Sequence, residues 1–169
     1  KRILKYLQGT RSIGLSYTRE KSGLQAFSDA DWAGDKLDRK SVSGLVIQYG
    51  GNTISWASRK QSCVALSTAE SEYVAAASAA QDLIYLQGIL MDFGITEEPK
   101  LLVDNVGAVC MTKTFENSKR AKHIDIRVHF IKDLVMKKLI KIDYIATENN
   151  LADIMTKPLG ITKFVNFRK

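Results

Sequence analysis

Cysteine, proline, histidine and tryptophan are all scarce, with two of each among 169 residues. Cys63 and Cys110 stand far apart in apolar surroundings without metal-ligand spacing. That excludes a disulfide framework and a cysteine-based metal site, and predicts two reduced core residues in an intracellular setting. His123 and His129 supply no Cys/His nucleophile pair, and neither a G-x-S-x-G elbow nor a phosphate-binding glycine loop occurs. No apolar run approaches membrane-spanning length, so no membrane partner is expected. The opening KRILKY lacks the profile of a signal peptide and also lacks a Met, so the chain is expected to be a piece of a longer one.

What is present is 45% apolar and 25% charged, enough for one globular domain with an appendage. The net charge of +7 is unevenly spread. Residues 1–21 hold six bases against one acid, and residues 113–141 hold nine against three. Residues 22–112, between them, carry eleven acids against six bases. Basic blocks flanking an acidic middle suggest a polyanion held by the bases, with the acids acting locally.

Hydrophobic periodicity predicts a short amphipathic helix in KRILKYLQGT, ended by Gly9, and then a strand in GLQAFSD. SVSGLVIQYGGNTISWAS predicts two strands about Gly50-Gly51, which supply positive φ for a tight hairpin. Residues 67–92 predict a long Ala-rich helix closed near Gly94. KLLVD predicts a strand, followed by a helix from Asn105 to about Thr114 and a polar connection, ENSKRA. Residues 122–137 predict a helix with Ile124, Val128, Ile131 and Val135 at helical spacing, followed by a strand in LIKIDYIA. NNLADIMTK predicts a final helix stopped by Pro158 and Gly160. Hairpin strands followed by strand–helix–strand units imply an α/β fold with a mixed sheet flanked by helices.

Four acids fall at element ends. Ser67 and Glu70 have capping-box spacing, which gives Glu70 a structural role. Glu72 stands at one end of a stripe of Ala69, Ala76, Ala79, Leu83, Leu86 and Leu90, where a carboxylate must be paired, protonated or metal-bound. Asp104 ends the strand KLLVD, at the kind of position where α/β sheets gather ligands, although it or Asn105 could equally cap the next helix. Asp153 lies in the first turn of the last helix, where any acid gains from the helix dipole. Asp29 ends the first strand, with Asp31 as an alternative that the pattern does not separate from it. Four such acids assembled together would repel one another unless hard divalent cations were bound, and two such ions suit in-line phosphodiester cleavage.

These residues resemble a known family. SDADWAGD, then RKSVSG, ISWASRKQSCVALSTAESEYVA, VDN, KHIDIRVHFI and LADIMTKPL are similar, in order and spacing, to the ribonuclease H domain of copia-type LTR retrotransposon Pol polyproteins. The resemblance runs from about residue 1 to residue 165. It implies a ribonuclease H-like fold with a five-stranded mixed sheet flanked by helices. Residues 1–20 resemble the connection segment from reverse transcriptase, and residues 21–169 the ribonuclease H domain. It also implies catalytic, metal-binding roles for Asp29, Glu72, Asp104 and Asp153, with Asp31 left to the turn.

The implied cofactor is two Mg²⁺ ions, with Mn²⁺ possible in their place. The implied substrate is the RNA strand of an RNA–DNA hybrid, the implied partner is the adjoining reverse transcriptase, and the implied setting is a cytoplasmic virus-like particle. Reading such a hybrid takes contacts to a 2′-OH and to phosphates. Asn105, Arg59, Lys60, His123 and Arg127 are the candidates, with the basic block from Lys119 to Lys141 for the backbone. Trp32 and Trp56 could stack on bases, although an alternating strand favours a core role for Trp56. The chain departs from the family in having Glu148 and no histidine in the loop ATENN, and Val106-Gly107 after VDN. The alternatives are an inactive or co-opted domain of the same fold that binds nucleic acid or a polymerase partner, and another nuclease or transposase of that fold.

Overall fold

The computed structural model describes residues 1–105 and 122–168, the side chains at 122–124 excepted. Strands β1 (Gln25–Asp31), β2 (Val42–Tyr49) and β3 (Asn52–Lys60) form an antiparallel meander. Strands β4 (Lys100–Val103) and β5 (Lys141–Tyr144) add in parallel on the other side of β1, giving the order β3-β2-β1-β4-β5. This is the expected five-stranded mixed sheet. Gly50 (φ 60°) and Gly51 (φ 74°) make the β2–β3 turn, where both positions need positive φ.

Side chains alternate across the sheet. Ala26, Leu45, Ile47, Leu101 and Val103 face helices α2 (Thr68–Asp92) and α3 (Lys122–Met136) in the main core, which Val128, Ile131 and Leu134 complete. The alanines at 76, 77, 79 and 80 let α2 lie close to the sheet. Ser67 caps α2, its hydroxyl accepting the Glu70 N–H at 3.2 Å. The Glu70 carboxylate reaches back one residue further than the capping box predicts, to the Leu66 N–H at 2.6 Å. Gly94 (φ 77°) closes the helix, with Gly94 N–H donating to Met91 and Ile95 N–H to Leu90. Contrary to the sequence expectation, this 25-residue helix is apolar enough by length and composition to cross a membrane. Its part from Tyr73 to Leu83 packs against the sheet, and 33% of the apolar window is buried.

The opposite face carries a smaller cluster, Phe27 and Val46 with Ala152, partly covered by Leu102, Leu151 and Met155. Here the chain departs from expectation. After the 3₁₀ turn Thr147–Asn149, the predicted last helix is a single turn, α4 (Asp153–Thr156), and an unpredicted helix α5 (Ile161–Arg168) follows Pro158 and Gly160. Trp56 is 53% exposed instead of buried, because β3 is the edge strand of the sheet. Trp32 is also partly exposed, and its indole N–H donates to the Ala65 carbonyl at 3.0 Å. Helix α1 (Arg2–Gly9) forms as predicted, yet buries none of its residues. Cys63 is half-buried and unpaired, packed against the core's edge. Cys110, the predicted helix after Asn105 and the connection ENSKRA lie outside the described residues.

Candidate metal centre

Strand register assembles the first part of the site. In the parallel β1–β4 pair Ser28 lies opposite Val103, so the next residues, Asp29 and Asp104, emerge side by side at an inter-strand spacing of about 4.8 Å. Parity with Phe27 puts Asp29 on the α4 face. Beyond Val103 that edge of β1 has no partner strand, and Glu72 reaches in there from α2, where its carboxylate accepts the Ala30 N–H. Ligand-capable oxygens of Asp29, Glu72 and Asp104 all lie within 4.8 Å of one another. Asp29 and Glu72 are buried and Asp104 is half-buried. Asp31 remains at the strand end, its carboxylate folded over Gly34 in the following turn.

Asp153 joins from α4, fully buried and hydrogen-bonded to Asp29. Both of its oxygens are ion-paired, Oδ1 with Lys157 Nζ at 2.7 Å and Oδ2 with Lys163 Nζ. Thr156 Oγ1 donates to Asp29 Oδ2 at 2.5 Å, and Lys157 Nζ lies 3.6 Å from the same oxygen. Buried Asn150 ties the two acids' segments together. Its Nδ2 donates to the Ser28 carbonyl at 2.9 Å, and its Oδ1 accepts the Ala152 N–H at 3.2 Å. Gly44, opposite Asp29 on β2, permits this approach, since a Cβ there would stand 2.5 Å from the Ala152 carbonyl oxygen.

The electrostatics follow from burial. Loss of water, then the charges of Asp29 and Asp104, push Glu72 up to about 9. Burial likewise raises Asp29 to about 6, against the Thr156 hydrogen bond. Asp153 goes the other way: although burial works against its charge, hydrogen bonds from Lys157 and Lys163 hold it below the ordinary carboxylate value. The cluster must therefore hold protons or take up cations. An oxygen-only carboxylate donor set of this kind fits a hard divalent ion.

Three of the proposed substrate contacts lie in a groove that none of the four acids lines. Arg59, Lys60 and Arg127 line a groove of about 470 Å³ between the end of β3, α2 and α3, together with Gln61. Arg59 pairs with Asp82 at 2.9 Å, and Lys60 with Asp35 and Asp38 at 2.5 and 2.9 Å. Gln61 Nε2 donates to the carbonyl of Ser71, next to Glu72, at 2.9 Å, which leaves its buried Oε1 without a partner among the described residues. Asn105 directly follows Asp104 and is half-buried. The His123 side chain, and residues 119–121 of the basic block, lie outside the described part. Sequence reasoning assigned no role to Asn150, Thr156, Lys157 or Lys163. Thr156 and Lys157 carry the signal of i+3 and i+4 spacing from Asp153, whereas Lys163 follows a helix break and carries none.

Comparison with known proteins places this geometry. No family model matches the chain. It is 40% identical over 172 residues to the retrovirus-related Pol polyprotein from transposon RE1 of Arabidopsis thaliana, covering 99% of this chain. It is 38% identical over 163 residues to that from transposon TNT 1-94 of Nicotiana tabacum, covering 96%. The chain spans 12% of the length of each polyprotein. Among solved structures, LC11-RNase H1, isolated from compost, superposes with TM-score 0.62 at 20% identity over 80% of this chain and 94% of that one. A foamy viral protease–reverse transcriptase in complex with RNA/DNA hybrid superposes with TM-score 0.58 at 16% identity over 85% of this chain and 22% of that one. The chain therefore has the ribonuclease H fold, and its homologues over nearly its full length are copia-type retrotransposon Pol polyproteins.

Proposed function

We propose that this segment hydrolyses the RNA strand of RNA–DNA hybrids during reverse transcription, with divalent ions held by Asp29, Glu72, Asp104 and Asp153. The observation that carries this reading is the gathering of three carboxylates from β1, α2 and the end of β4 within 4.8 Å, with Asp153 hydrogen-bonded alongside. Fold neighbours solved with RNA/DNA hybrid, LC11-RNase H1 and the foamy viral enzyme, support the choice of substrate.

Two Mg²⁺ ions, or Mn²⁺, would supply the Lewis-acid charge for in-line attack of water on the phosphodiester and for departure of the 3′ oxygen. The chain's own residues do the rest. The β1–β4 register holds Asp29 and Asp104 at a fixed separation, and α2 brings Glu72 to them. Thr156 fixes the rotamer of Asp29, and Asn150 fixes the distance between the two segments. Arg59, Lys60 and Arg127 offer positive charge along the groove to hybrid phosphates by exchanging the partners they hold. Asn105, directly after Asp104, extends the contact surface, and His123 is a further proposed contact. Helix α1, with Ile3, Leu4 and Leu7 exposed, suits a connection from an adjoining reverse transcriptase.

The test is a strand-labelled hybrid incubated with the protein and Mg²⁺, beside duplex DNA and single-stranded RNA. The RNA strand of the hybrid is cut, and Asp104→Asn slows cutting by more than about 100-fold, the upper end of what outer-shell changes cost. Cleavage unaffected by Asp104→Asn, or preference for another duplex, would overturn the reading.

A further inference from the structure

Asp153 has an ammonium group at ion-pair distance from each of its oxygens, and Lys163 makes the hydrogen bond. Burial makes such compensation necessary, since an uncompensated carboxylate with 1% exposure is costly. The two lysines are not equivalent. Lys157 stands i+4 from Asp153, so the chain around α4 keeps it in place. Lys163 comes from α5, on the far side of Pro158 and Gly160, and it also donates to the Thr147 carbonyl at 2.9 Å.

Helix α5 contributes no residue to either hydrophobic cluster. None of its residues is buried. Its ring contact is an edge-on one between Phe164 and Tyr6, centroids 5.9 Å apart, and Tyr6 belongs to a helix that is itself exposed. Phe164, Val165 and Phe167 are half-buried, so separating α5 from the sheet uncovers part of three apolar side chains and opens one short element while leaving both hydrophobic clusters intact. The tie between α5 and the acids is Lys163.

We propose that α5 is a latch on the metal centre: Lys163 is the resident counter-cation of Asp153, and a divalent ion gains that carboxylate by displacing it. The proposal rests on reading the four acids as a metal site. The ion's apparent affinity is reduced by the fraction of molecules in which Lys163 holds Asp153, so weakening the latch tightens ion binding. The sign is diagnostic, because a lysine that merely braced the site would loosen ion binding when removed.

The experiment measures Mg²⁺ binding to the full chain by calorimetry and Mn²⁺ binding by electron paramagnetic resonance, without substrate. Lys163→Met should tighten ion binding about fivefold, the equivalent of one partly exposed ion pair. Lys163→Arg should leave it close to the original. Lys141→Met, which removes the same charge at the start of β5, should change it little. Unchanged or weaker binding in Lys163→Met, while Asp29→Asn abolishes binding, overturns the latch and leaves the metal site standing. An equal gain in Lys141→Met overturns it too, as a general charge effect. No ion bound by the unaltered chain overturns both readings. A second measurement needs no variant: saturating Mg²⁺ should speed amide hydrogen exchange across residues 161–168, and unchanged or slower exchange there counts against the latch.

Discussion

Thr156 donates to Asp29 Oδ2, and Lys157 approaches the same oxygen. A single hydroxyl thus holds the Asp29 carboxylate in place. Thr156→Val keeps the shape and removes the donor. We expect it to lower divalent-ion affinity about 10–100-fold, as losses of outer-shell hydrogen bonds do, whereas Thr156→Ser retains it; calorimetry with Mg²⁺ separates the two. Asp29 was distinguished from Asp31 in sequence only through the family resemblance, and the structure supplies the physical reason. The two acids share a face of β1, but Asp29 directly follows the last β1–β4 pair and accepts from Thr156, whereas the Asp31 carboxylate folds over Gly34.

Secondary structure sets these side chains in place through close backbone contact. Helix α4 sits on β2 at Gly44, where an added Cβ would meet the Ala152 carbonyl oxygen at 2.5 Å and Thr156 Cγ2 at 2.6 Å. Backbone cannot swing aside as a long side chain can, so Gly44→Ala must push α4 outward, taking Asp153 and Thr156 with it. The expected result is a loss of about 1–3 kcal/mol in denaturant unfolding, together with weakened ion binding. A variant as stable as the original, with unchanged ion affinity, would show that α4 is not so tightly seated. The Ala-rich helix, the glycine hairpin and the strand KLLVD were legible because each has strong local signals of period, cap or turn. The end of the chain was not: a one-turn helix has no period to read, and α5 lies beyond residues that normally signal a stop.

Proton uptake by the acid cluster is felt by the molecule as a whole. Glu72 holds its proton to about pH 9 in the folded chain against 4.5 otherwise, and Asp29 to about 6 against 3.8. Within those windows the folded state binds more protons than the unfolded one, so stability falls as pH rises. Asp153, held low, acts in the opposite sense and withdraws its contribution in acid, as pH falls through its folded value. Thermal unfolding in a chelator should therefore give a melting temperature that declines from about pH 5 toward 9, and added Mg²⁺ should flatten that decline by replacing protons in the cluster. A melting temperature that climbs across the same range would refute the buried-proton account.

Local pattern and composition established the class of fold, the long capped helix, the hairpin and the presence of acids at element ends, because these depend on neighbours within a few residues. The family's ordered motifs selected which four acids to consider. Convergence was beyond local reading, since it depends on a strand register linking residues 28 and 103 and on contacts such as Asn150 to Ser28 that span more than a hundred residues. The same holds for Lys163, whose partner is set by how α5 folds back after a break. Such long-range pairings arise from packing the whole chain around one sheet, and no short window of residues encodes them.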